Sequence, residues 1–252
     1  MQEHDMQILG LDIGGTGIKA APVDCSTGKL LADVERRDTP QPATPEAVLE
    51  VAQELVEHFA WQGPIGCGFP AVVQRGIVRT ASNIDQRWLH CDVAARFSQH
   101  FDRQVTVIND ADAAGLAEIT FGAGREVMGT LLMLTLGTGI GTALFHDHDL
   151  LPNLELGQIS VRGKPGHEWA AASVREEQNQ SWEQWAQGVE LFLQTIEVML
   201  WPDLIILGGG VSKDADQFLD RIRIRAKLVP ARLTNDAGII GAALFAAQIS
   251  PE

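Results

Sequence analysis

The feature that most narrows the fold of this chain is a pattern that it carries twice. Ile8 to Lys19 reads Ile-Leu-Gly-Leu-Asp-Ile-Gly-Gly-Thr-Gly-Ile-Lys, an apolar strand that runs into a glycine turn and out into a second strand. Leu134 to Phe145 reads Leu-Thr-Leu-Gly-Thr-Gly-Ile-Gly-Thr-Ala-Leu-Phe, and its Gly137-Thr138-Gly139-Ile140 matches Gly15-Thr16-Gly17-Ile18. Repetition of a whole strand, turn and strand points to a duplicated α/β chain with two lobes. Glycines between apolar runs serve either as tight hairpin turns or as cradles that bring backbone N–H groups close to phosphate. In the second reading, Gly14, Gly15, Thr16 and Lys19 from one hairpin and Gly137, Thr138 and Gly139 from the other would grip successive phosphates of one ligand across a cleft. Asp12, at the end of the first strand, adds a carboxylate able to hold a hydrated divalent cation against phosphate oxygens.

At 252 residues the chain can bury one large core or two of ordinary size, and two suit the duplication. No apolar run approaches bilayer length, and a 45% hydrophobic, 21% charged composition is that of a soluble globular protein. The acidic start and the interruption of the first apolar run by Asp12 do not read as a signal peptide. Cys25, Cys67 and Cys91 are dispersed and odd in number, which argues against a disulfide framework or structural zinc and suits a reducing cytoplasm. A net charge of −14 disfavours nonspecific nucleic-acid binding and repels polyanions, so a phosphate-rich ligand would need a local basic surface.

The spacing predicts strands over residues 7–13, 18–24 and 29–35, the last two joined by Ser26-Thr27-Gly28. Thr44 and Pro45 open a helix whose Val48, Val51, Leu55 and Phe59 share one face. Strands over 65–68 and 105–109 follow, then a helix over 111–121, a long helix over 182–200 and a buried strand over 204–207. Gly208, Gly209 and Gly210 lead from that strand to a helix near Lys213, and a small-residue helix over 239–248 closes the chain. The lobes are expected at 1–112 and 113–252, with the last helix able to pack back on the N-terminal lobe.

Asn109 and Asp110 stand at the C-terminal end of an apolar strand, where open α/β sheets place ligands. Asp110 there could accept a proton from an attacking hydroxyl, or Asp110 or Asp112 could cap the next helix. Arg221, Arg223, Arg225 and Lys227 alternate with apolar residues, which on an extended strand makes either a four-cation track or a solvated face. His146-Asp147-His148 reads as an exposed turn, Trp182, Trp185 and Trp201 as packing, and Trp88 as a packed residue or the rim of a ligand cleft.

Read in order, Leu11 to Lys19, Gly68 to Val73, Ala81-Ser82-Asn83, Val107 to Gly115, Leu136 to Gly141, Pro152 to Gly157, Ala171 to Glu176 and Leu207 to Lys213 resemble the polyphosphate-using glucokinases of the ROK group of sugar kinases. The similarity spans about residues 7–247. It implies the two-lobed, actin-like and hexokinase-like (ribonuclease H-like) α/β fold, with phosphoryl transfer from polyphosphate or ATP to the 6-hydroxyl of glucose. It further implies Asp110 as general base, Asn83, Asn109, Glu155, Gln158 and Glu168 on the sugar, and Asp12 on Mg²⁺ through water. The donor would lie on the two glycine turns and on Gly208 to Gly210, which in nucleotide-using relatives approach the adenosine. The resemblance also implies a cytoplasmic homodimer with no nucleic-acid or membrane partner. Alternatives are a strictly ATP-dependent glucokinase, a kinase of another hexose, a noncatalytic sugar-binding protein, or a filament-forming relative of actin. The chain departs from the group at Gln158, where a histidine is usual, and in lacking the zinc-binding cysteine cluster of many ROK kinases, so no structural zinc is expected.

Overall fold

The computed structural model describes residues 7–82 and 84–249. It divides into two compact units, one formed by the described residues up to 117 together with 236–249 and the other by 118–235. The division falls between Ala117 and Glu118, where a boundary at 112/113 was expected, and the final helix belongs to the first unit.

The first unit is a mixed sheet covered by helices. Its path runs β3 (Lys29–Leu30), β2 (Gly17–Asp24), β1 (Gln7–Ile13), β5 (Ile65–Phe69) and β8 (Val105–Asn109), and β4 (Glu35–Asp38) also pairs with β2. The glycine turn makes β1 and β2 antiparallel, whereas β1, β5 and β8 are parallel. The single strand expected over 29–35 is two short ones. Leu31 N–H donates to Pro22 O, but Pro22 has no N–H to return the bond, so the chain leaves β2 and rejoins it further along. A small hairpin, β6 (Val73–Gln74) and β7 (Ile77–Val78), follows β5.

Helix α1 (Pro45–His58) begins where its sequence says, with the Thr44 hydroxyl accepting from Ala47 N–H and Pro45 in the first turn. Its buried Val48, Leu49, Ala52 and Leu55 pack with α2 (Val93–Phe101) over one face of the sheet. Phe69, Trp88 and Phe97 meet edge to face in this core. Trp88 is fully buried and donates its indole N–H to Ala43 O, so it is a packing residue. Helix α3 (Asp110–Thr120) leaves the end of β8, and α7 (Ala237–Ile249) lies on the other face of the sheet. Gly10 and Gly66 make that seat. A Cβ on either would overlap a carbonyl oxygen of α7, that of Ile239 or of Ala242.

The second unit repeats the plan. Its sheet runs β11 (Asp149–Leu151), β10 (Ile140–His146), β9 (Thr130–Leu136), β14 (Leu204–Gly208) and β15 (Lys227–Pro230). Again a glycine turn joins an antiparallel pair, with Leu136 opposite Ile140 as Ile13 is opposite Ile18, and the next strands are parallel. Between β11 and β14 come the hairpin β12 (Ser160–Val161) and β13 (Lys164–Pro165), then α4 (His167–Ala170), α5 (Ala172–Glu177) and α6 (Trp182–Leu200). Ser181 and Gln184 form a reciprocal capping box at the start of α6. Its Trp185, Val189, Phe192 and Ile196 are buried, and Trp182 stacks on Phe218. In place of an α-helix at Lys213, a 3₁₀ segment spans Gly210–Gln217 with a break at Asp214. His146-Asp147-His148 is the turn between β10 and β11, with Asp147 and His148 at positive φ.

Candidate active site

In the first unit the parallel strands end together, and they bring two carboxylates to one edge. Asp12 on β1 is level with Gly68 on β5, and Gly68 with Ile108 on β8, so Asp110 begins its helix just beyond. A Cβ on Gly68 would stand 3.7 Å from Asp12 Oδ1 and 3.8 Å from the Asp110 Cα, which places both residues around this one glycine. Lys19, directly opposite Asp12 on β2, brings Nζ to 3.5 Å from Oδ2. Burial pushes the Asp12 carboxyl above its ordinary pKa, and the Lys19 ammonium partly offsets this. Gly238, at the start of α7, lets that helix approach: a Cβ there would come 2.8 Å from the Asp12 Cγ. The donor set at this point is hard oxygen from a single carboxylate, which suits a hydrated Mg²⁺ held through water. Among the described residues no cluster of three or more His, Cys, Asp or Glu forms an all-protein metal cage.

The glycine turn is held by its carbonyls. Gly14 N–H bonds Gly17 O at 2.9 Å, and the carbonyls of Gly14, Gly15 and Thr16 accept from Thr39 Oγ1 (2.6 Å), Gln41 Nε2 (3.4 Å) and Arg36 Nη2 (2.9 Å). Gly15 and Thr16 are exposed, and a Cβ on Gly15 would meet nothing within 4 Å. Carbonyls engaged on one side and open backbone on the other suit an anion. Thr39, Gln41 and Arg36 were not singled out by sequence, because their partners lie 20 or more residues away.

Asn109 is the cap of α3, a role that sequence reasoning gave to Asp110 or Asp112. Its Oδ1 accepts from Ala111 N–H (2.9 Å) and Asp112 N–H (3.1 Å), and its Nδ2 donates to Ala71 O (3.1 Å) and to Asp110 Oδ1 (3.2 Å). An amide has two donors and two acceptor sites, so the Asn109 side chain is fully engaged and holds Asp110. Asp110 Oδ1 also accepts from Ala111 N–H at 2.9 Å, and Asp112 is buried. Asn83 lies outside the described residues.

In the second unit Gly137 N–H bonds Gly139 O at 3.0 Å, and Ser173 holds the turn through Gly137 O (3.2 Å) and Thr138 O (3.0 Å). A Cβ on Gly137 or Gly139 would meet nothing within 4 Å. Gly209, at φ 84°, packs its backbone against Leu136, so the Gly208 to Gly210 turn stands beside the Gly137 turn. Glu155 precedes and Gln158 ends a single 3₁₀ turn seated on the start of β10, where a Cβ on Gly157 would lie 2.9 Å from Ile140 O. Packing around Glu155 raises its pKa above the ordinary carboxylate value by desolvation. Glu168, on α4, lines a cavity of about 420 Å³ with Arg162, Lys164, Trp169 and Gln187.

The extended strand expected over 221–227 does not form. A 3₁₀ turn ends at Arg221 and β15 starts only at Lys227. The backbone N–H groups of Arg223, Arg225 and Ala226 donate to Glu190 and Glu197 on α6, which bends this segment along the helix. Arg225 stacks on Trp201 with its guanidinium 4.8 Å from the ring, and Arg221 stands 3.9 Å from Glu183. These cations face acidic and aromatic neighbours and form no single row.

The ROK family profile matches residues 8–174. The polyphosphate glucokinase of Mycobacterium tuberculosis is 46% identical over 237 residues, covering 94% of this chain and 89% of the relative. The inorganic polyphosphate/ATP-glucomannokinase of Arthrobacter sp. strain KM superposes with a TM-score of 0.94 at 44% identity, covering 97% of this chain and 99% of that one. A ROK family glucokinase from Streptomyces griseus, in complex with glucose and AMPPNP, gives 0.83 at 25% identity over 96% and 99%. The two repeated units are those of the actin-like, hexokinase-like fold of ROK sugar kinases. A family profile that matches about two thirds of the chain and a relative 46% identical over 94% of it establish that the chain belongs to the ROK family.

Proposed function

We propose that this protein is a glucokinase that transfers a phosphoryl group from inorganic polyphosphate to the 6-hydroxyl of glucose and also accepts ATP as donor. The observation that carries this reading is the convergence of Asp12 and Asp110 around Gly68, with a glycine turn open to an anion next to Asp12. The names of the Mycobacterium and Arthrobacter relatives support polyphosphate as donor.

Asp110, oriented through Asn109, takes the proton of the glucose 6-hydroxyl as its oxygen attacks the terminal phosphorus. The phosphorus–oxygen bond to the donor chain then breaks, leaving glucose 6-phosphate and a polyphosphate one unit shorter. Positioning and charge neutralisation supply most of the acceleration in such a transfer, so the backbone donors of Gly15 and Thr16 and of Thr138 and Gly139 matter as much as the base, while the Gly14 and Gly137 N–H groups close their own turns. Asp12 would hold Mg²⁺ through water, and the ion when bound neutralises phosphate charge. Glu155, Gln158 and Glu168 bind sugar hydroxyls, and Gly208 to Gly210 serve the adenosine when ATP is the donor. The reading includes a cytoplasmic homodimer, with sedimentation as its check. No helix among the described residues is long and apolar enough to cross a membrane.

The test is glucose phosphorylation by the purified protein with Mg²⁺, with long-chain polyphosphate and ATP supplied in parallel. Faster turnover with polyphosphate is expected. Turnover with ATP alone would replace this reading with that of a conventional glucokinase, and silence with both would move the acceptor to another hexose.

The raised pKa of Glu155 gives a pH dependence. Its carboxylate, the form that accepts hydrogen bonds from hydroxyls, is lost on acidification at a higher pH than for an ordinary glutamate. The KM for glucose is therefore expected to rise as pH falls through that range, and Glu155→Gln should flatten this acidic limb while raising KM throughout. Steady-state profiles of the two proteins decide it.

A further inference from the structure

We infer that Arg36, together with Lys19, binds a phosphate of the donor chain beyond the group transferred, and so favours long polyphosphate over shorter donors. This rests on the reading of the glycine turn as the donor site. Residues directly opposite on adjacent strands project to the same face of a sheet. Asp12 is opposite Lys19, and Lys19 is opposite Arg36, so one row crosses β1, β2 and β4 beside the glycine turn. Arg37 and Glu35, the alternate residues of β4, project the other way, where Arg37 stands 3.6 Å from Glu54 on α1. The row therefore runs carboxylate, ammonium, guanidinium from the proposed metal residue outward.

Arg36 is anchored rather than loose. Its Nη2 donates to Thr16 O at 2.9 Å and its Nη1 to Asp38 Oδ1 at 2.7 Å, and the side chain is half exposed. A guanidinium has five N–H donors, and these bonds use two, so three remain in a planar fork suited to phosphate oxygens. The anchor fixes that fork against the exposed backbone of Gly15 and Thr16, while a chain carrying −14 overall offers polyanions little attraction elsewhere. Asp38 is almost fully exposed and competes for the same guanidinium. A nucleoside triphosphate ends in a nucleoside where polyphosphate continues as phosphate, so a cation one step out selects for the longer anion.

The experiment combines calorimetric titration with long-chain polyphosphate and steady-state KM values for long-chain polyphosphate, tripolyphosphate and ATP. Arg36→Gln is expected to weaken long-chain binding and raise its KM about tenfold, the worth of a charged hydrogen bond, with a smaller effect on the two short donors. Asp38→Asn is expected to shift the same quantities in the opposite direction, which guards against a loss that merely reflects a disturbed turn. Arg223→Gln with Arg225→Gln should leave them unchanged. Equal effects of Arg36→Gln on long and short donors, unaltered polyphosphate affinity, or no polyphosphate binding by the wild-type protein would each overturn the inference. Wild-type protein that binds polyphosphate without using it would instead overturn the functional reading alone.

Discussion

Exchanging Asp110 for Asn is expected to lower phosphoryl transfer about a thousandfold and to leave glucose binding within a small factor of its original strength. The substitution is nearly isosteric. An asparagine Oδ1 still accepts from Ala111 N–H and from Asn109 Nδ2, so the start of α3 and the placement of the side chain persist. What disappears is the capacity to take a proton. A hydroxyl must lose its proton as its oxygen bonds to phosphorus, and an amide cannot accept it at neutral pH. Glucose titration by calorimetry alongside turnover separates the two effects: a fall in kcat at constant affinity identifies a group acting in the transition state. Undiminished turnover would remove Asp110 from the role of base. The same pair of measurements on the wild-type protein tells an enzyme from a noncatalytic sugar-binding relative, which would show affinity without turnover.

What the sequence made legible is mainly what local rules govern. Helix α1 starts at Pro45 because Thr44 and Pro45 carry their own capping chemistry, and α6 spans Trp182–Leu200 because Ser181 and Gln184 cap it and its apolar face repeats at helical spacing. Both glycine hairpins were visible because an antiparallel pair with a short turn needs only adjacent residues. The misreadings concern partners distant in sequence. Pro22 interrupts the ladder that would have extended β3, a consequence of pairing that no alternation of apolar residues discloses. The basic run from Arg221 looks like a strand by period, yet Glu190 and Glu197 of α6 capture its backbone N–H groups and bend it away. Asn109 sits next to two aspartates with equal capping propensity, and only the position of Ala71 O, brought in from the end of β5, favours the amide. Arg36 was passed over for the same reason, since its nearness to the glycine turn follows from the return of β4 to β2.

The second large effect is on stability, and it concerns Gly66. Replacing it with alanine is expected to destabilise the protein by on the order of 3 kcal/mol or more, as overpacking of a filled core does. For a chain of this size that lowers Tm by roughly 6–12 °C. The added Cβ would overlap the carbonyl oxygen of Ala242, which is backbone of α7 and cannot rotate aside as a side chain can. Nor can the strand retreat, because β5 is hydrogen-bonded to β1 on one side and β8 on the other. The helix must therefore lift, and Gly241, whose own Cβ position coincides with Ala113 O, shows that it is pressed equally closely against α3. Lifting α7 also moves Gly238 from its place against the Asp12 carboxylate, so activity should fall with stability. Gly15→Ala is the stability control in the same unit, since a Cβ there meets nothing within 4 Å and Tm should change little. Thermal melts of both variants read the difference. Equal losses would mean that glycine content alone, rather than the contact of α7 with the sheet, sets the stability of the first unit.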